Sequence, residues 1–184
     1  IEFTAYDRAG HTAETSCRFT IDRTAPIITL TGATNYEITD KDVTVYGKVE
    51  DDFYLSKTVN VTGTRTDLDG KVYDITFAYT VTGNPTEFTK ELTEDGIYDI
   101  TVSSTDIAGN SDSKSLHFTI DKTKPVIGDL SQYDGAILTE FNWDQDLDDL
   151  VSDLTVCDVH MYLNGSEYDG VSEIEDGAYT LLIT

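Results

Sequence analysis

The sequence predicts an all-β chain of repeated two-sheet sandwiches arranged end to end, and three observations carry that expectation. A 22-residue phrase occurs twice, DRAGHTAETSCRFTIDRTAPII from Asp7 and DIAGNSDSKSLHFTIDKTKPVI from Asp106, 99 residues apart and identical at 11 positions. Such a period suits one small sandwich domain. Polarity alternates with a period of two in short runs bounded by turn residues. Thr, Tyr, Val and Ile are plentiful while Met and Trp occur once each, a usage that suits pleated, half-buried surfaces.

Each element follows from that pattern. Strands are predicted at Ile27 to Leu30, Val43 to Val49, Val59 to Thr64, Val72 to Tyr79 and Glu87 to Leu92. Two more cover 97–104 and 113–121, with Tyr98, Ile100 and Val102 on one face and Leu116, Phe118 and Ile120 on another. Between these two, Asp106-Ile107-Ala108-Gly109-Asn110 reads as a tight connection in which Gly109 takes positive φ and Asp106 accepts backbone N–H bonds. Asp95-Gly96-Ile97-Tyr98 reads as a tyrosine corner and returns 81 residues later as Asp176-Gly177-Ala178-Tyr179. Farther on, Val159, Met161 and Leu163 alternate up to Asn164-Gly165, a hairpin signal.

The repeat sets the expected domain limits. Residues 1–22 supply the last two strands of one sandwich, 23–122 a complete one, and 123–184 a shorter one that stops near its penultimate strand. The linkers Thr-Ile-Asp-Arg-Thr-Ala-Pro and Thr-Ile-Asp-Lys-Thr-Lys-Pro are short and stiffened by proline, so an extended rod is expected.

Composition narrows the partners. With 35 acidic and 12 basic residues the net charge is −23, a field that repels nucleic acid and anionic lipid and attracts divalent cations and basic partners. No apolar run reaches the length of a membrane span. The two cysteines give no disulfide framework, and Cys17, in register with Leu116, is expected as a small buried hydrophobe.

The phrase D-x-A-G-N…F-T-I-D-x-T-x-P, as it stands at Asp106 to Pro125, resembles the bacterial Ig-like repeats of large Gram-positive surface proteins and adhesins. The resemblance implies tandem immunoglobulin-like sandwiches, outside the cell, that act as a non-enzymatic stalk and adhesive module with neighbouring repeats of the same chain as partners. Alternatives it leaves open are a host-protein-binding module, superantigen-like or gripping an immunoglobulin or mucosal glycoprotein, and an accessory carbohydrate-binding region of a secreted glycan-degrading enzyme. In some adhesin repeats of this type, acids near the hairpin and linker bind Ca²⁺. The matching positions are Asp7 with Asp22 at one junction and Asp106 with Asp121 at the next. The alternative role for these residues is turn cap and linker charge.

Other acids cluster at two places along the chain. Asp67-Leu68-Asp69-Gly70 followed by Asp74 lacks the ligand alternation of a calcium loop and reads as a hairpin turn. Asp144, Asp146, Asp148 and Asp149 crowd beside Trp143, either as a recognition or cation patch or as a solvated loop over a buried Trp143. Carbohydrate binding would need a row of exposed aromatics, for which Tyr46, Tyr54, Tyr73 and Tyr79 are the candidates. Catalysis has little to stand on: His11 falls in a turn, His117 and His160 alternate with apolar neighbours, and no nucleophile, zinc or phosphate motif occurs.

Overall fold

A computed structural model describes residues 1–53, 55–81, 83–138, 140–141, 143 and 147–184. In chain order the strands are β1 (Glu2–Tyr6), β2 (Thr12–Ser16), β3 (Ile27–Thr31), β4 (Glu37–Thr39), β5 (Val43–Glu50), β6 (Leu55–Thr66), β7 (Val72–Asp74) and β8 (Phe77–Thr80). They continue as β9 (Thr86–Leu92), β10 (Gly96–Asp106), β11 (Ser111–Ile120), β12 (Val126–Ile127), β13 (Val151–Ser152), β14 (Met161–Leu163), β15 (Ser166–Glu167) and β16 (Leu181–Ile183).

Alternating side chains build the central sandwich. One sheet runs β3-β5-β9 and the other β4-β11-β10-β6-β7, with β8 also on β6; all pairs are antiparallel except β4 with β11. Ile28, Leu30, Val45, Val49 and Phe88 face Val59, Val61, Ile100, Val102 and Phe118 across the core. Burying each such side chain contributes about 1.5–3 kcal/mol. Gly47 interrupts the inward row of β5 because the Phe88 ring occupies its place: a Cβ there would sit 1.9 Å from Phe88 Cζ.

Local chemistry accounts for departures from the expected strands. The run from Val72 to Tyr79 keeps one register against β6 but breaks after Asp74, whose Oδ1 takes the Thr76 N–H at 2.8 Å while Thr76 Oγ1 accepts from Gly63 N at 3.2 Å. The parallel strand β4 was not visible as a pattern; with three residues it is too short to show alternation.

The tyrosine corner occurs twice, as Tyr98 Oη donating to Glu94 O at 2.7 Å and Tyr179 Oη donating to Glu175 O at 2.9 Å. Around the second corner lie the sheet β15-β14-β16 and a smaller core of Trp143, Met161 and Ile183 with Tyr133, Phe141 and Tyr168 packed against it. The β14-β15 turn has φ of 50° at Asn164 and 80° at Gly165, the conformation Asn-Gly hairpins favour. β1 and β2 pair with each other, and Cys17 is exposed rather than buried, because the face it shares with Phe19 and Ile21 is exposed too.

Candidate metal centre

Three carboxylates meet at one end of the central sandwich. Asp22 comes from the segment between β2 and β3, Asp51 follows β5, and Asp106 ends β10; one oxygen of each lies within 4.8 Å of the others. Among the described residues, none of the ion pairs supplies them with a cation.

Their hydrogen bonds differ in a way that matters. Asp106, 3% exposed, accepts three hydrogen bonds: Oδ1 accepts the N–H groups of Gly109 and Asn110 at 2.6 and 2.8 Å, and Oδ2 accepts Asn110 Nδ2 at 2.7 Å, which leaves acceptor capacity on Oδ2. Gly109 reaches this geometry at φ of 97°, as the turn reading requires. Burial pushes the Asp106 carboxyl up, but the bonds from Asn110, Gly109 and Ala108 outweigh it and hold the group below its ordinary value. Asp22 accepts from Thr24 N and Thr24 Oγ1 at 3.1 and 2.8 Å, and its carbonyl oxygen takes Asn110 Nδ2 at 3.4 Å, tying linker to hairpin. Asp51 Oδ1 accepts the Phe53 N–H at 2.9 Å, whereas its Oδ2 is fully buried with no hydrogen-bond partner among the described residues. A buried anionic oxygen without a donor is costly unless something positive meets it.

The remaining candidates fall elsewhere. Asp7 does not approach Asp22; it caps its own turn through Ala9 N and His11 N, both at 2.8 Å, and meets His11 Nδ1 at 2.7 Å, which holds its carboxyl below the ordinary range. Asp121 likewise stands apart from Asp106. Thr155 Oγ1 lies 2.8 Å from Asp121 Oδ2 and 3.2 Å from Asp153 Oδ2, so one hydroxyl proton serves both. This pair restates Asp22 and Asp51: Ile27 faces Glu50 just before Asp51, and Val126 faces Ser152 just before Asp153. The thiol of Cys157 is pushed up by burial and then by the charge of Asp153.

Trp143 is 6% exposed in the smaller core, so no recognition surface is centred on its ring. Asp149 is exposed, Asp148 sits in the 3-10 turn Leu147–Leu150, and Asp144 and Asp146 lie outside the described residues. Asp67 caps its turn by accepting from Lys71 N at 2.9 Å and Tyr73 Oη at 3.0 Å. Tyr54 lies outside the described residues, and the other tyrosines do not form an exposed row. Tyr46 is 53% exposed, but Tyr73 lies under Arg65 and Lys71 and Tyr79 stacks on Phe88.

A family model described as a bacterial Ig-like domain matches residues 31–122. The chain belongs to the bacterial Ig-like family. Domains of this family are typical of surface proteins and generally non-catalytic. No curated protein matches the chain. Among the described residues of this Ig-like chain, no helix is long and apolar enough to cross a membrane. Asp51 is the site residue that sequence reasoning missed; its signal was its place just past the alternating run from Val43 to Val49, where a strand ends.

Proposed function

We propose that this Ig-like segment is an extracellular spacer that carries an adhesive region of a bacterial surface protein, with its repeats end to end and a hard divalent cation clamping linker to sandwich. The oxygen atoms of Asp22, Asp51 and Asp106 are the donor type Ca²⁺ takes, with carbonyl oxygens and water completing its six to eight ligands. The observation that carries the reading is the gathering of Asp22, Asp51 and Asp106, with the Oδ2 of Asp51 buried and without a hydrogen-bond partner among the described residues. A cation there would neutralise charges that otherwise repel and would hold the Asp22 linker against the hairpin.

At the other end, Lys122 Nζ bonds to Asp42 Oδ1 at 2.8 Å and to Thr93 O, while Asp121 takes the Thr155 hydroxyl. Such contacts favour a stiff exit toward the next repeat.

Melting with and without Ca²⁺ tests the cation. At a hundredfold excess over Kd, binding stabilises by about 2.7 kcal/mol, which for a domain of this size raises Tm by about 10 °C or more. Identical melting in Ca²⁺ and in chelator would overturn it. Small-angle scattering tests the end-to-end arrangement, since a compact particle contradicts a rod. Recovery of a defined serum or mucus protein by this segment alone would replace the spacer role with direct adhesion.

A further inference from the structure

The structure assigns Asn84 as the positioning residue of the cation site, an inference that rests on the cation reading above. Asn84 lies between β8 and β9, and its carboxamide meets the main chain of Asp51 as a neighbouring strand would. Asp51 N–H donates to Asn84 Oδ1 at 3.0 Å, and Asn84 Nδ2 donates to Asp51 O.

Both main-chain groups of Asp51 are thereby fixed by a side chain 33 residues away in sequence. Asp51 needs such support, because it stands beyond the last residue of β5 and its peptide groups have left the β-ladder. With the main chain held and Oδ1 bonded to Phe53 N–H, the Asp51 carboxylate is fixed in place beside Asp22 and Asp106. Asn84 spends both polar atoms of its carboxamide on the Asp51 main chain. It acts through Asp51, by sparing the site the ordering of a loop when the cation enters. Outer-shell partners of this kind typically change metal affinity by about 10–100-fold.

The test is calorimetric titration of the 184-residue chain with Ca²⁺ alone, beside melting in chelator. Asn84→Ala removes both bonds, and Asn84→Ser keeps a polar side chain too short to span the two main-chain atoms. Each is expected to weaken Ca²⁺ binding by about tenfold or more, and the Tm gain on adding Ca²⁺ shrinks accordingly. A role confined to the fold would lower melting in chelator and leave affinity alone, so a folded variant that binds within twofold of the unsubstituted chain overturns the assignment. Absence of Ca²⁺ binding by the unsubstituted chain instead overturns the cation reading and takes this inference with it.

Discussion

The two copies of the repeated phrase share a turn and the strand pairing that leads into it, and differ in burial. In both, the Asp N–H donates to the carbonyl four residues on, at 3.0 Å for Asp7 and 2.9 Å for Asp106, and the glycine has positive φ, 89° at Gly10 and 97° at Gly109. Yet Ile1, Phe3, Phe19 and Ile21 are 60 to 65% exposed, while their counterparts Ile100, Val102, Phe118 and Ile120 are at most 3% exposed. The turn is made by residues within five positions of one another, so it forms without a partner sheet. Burial depends on strands 31 to 81 residues distant, and among the described residues only the second copy pairs with them.

That contrast can be broken at several strengths. The largest expected effect is at the paired phenylalanines: Phe118→Ala empties a site stacked on Tyr98 and should cost about 3–5 kcal/mol in denaturant unfolding. Phe19→Ala should change that transition by less than about 0.5 kcal/mol. An equal loss from both would show that the first hairpin is covered in solution.

The tyrosine corners allow a finer comparison. Tyr98 is 1% exposed and Tyr179 42% exposed, although both phenols make the same bond. Tyr98→Phe removes a part-buried bond made by a phenol closed off from water and should cost about 1 kcal/mol. Tyr179→Phe should cost clearly less, because water reaches its partner; chemical denaturation measures both.

The smallest effect is a change of slope in acid. The carboxyl of Asp106 is held below its ordinary value of 3.8, so its stabilising contribution is complete above that value and is lost as pH falls through the lower folded one. Asp106→Asn should therefore flatten the loss of stability below about pH 4, and an unchanged acid slope would show that the hairpin bonds do not favour the charged form.

Legibility along the chain followed the range of the interactions. Alternation at Tyr98, Ile100 and Val102 announced a strand because a pleat turns every second side chain inward. The Asp-x-Ala-Gly turn and both tyrosine corners were visible because they are built from neighbours. Cys17 was misplaced because register with Leu116 told which face it takes, not whether that face is covered. The site was half legible. Asp22 and Asp106 stood out through repetition, but they were assigned to different junctions, since nothing in a linear phrase shows that a linker acid folds back on a hairpin 84 residues later.

By itself the sequence determined an all-β, repeated chain with its turns, caps and strand faces, since these arise from contacts between residues close along the chain. Only the tertiary structure decided which copy of the hairpin is buried, that Asp51 completes a cluster with Asp22 and Asp106, and that Asn84 holds Asp51 in place. Those outcomes depend on strand ends and connections converging at one end of the sandwich, where residues 22, 51, 84 and 106 become neighbours through sheet packing alone.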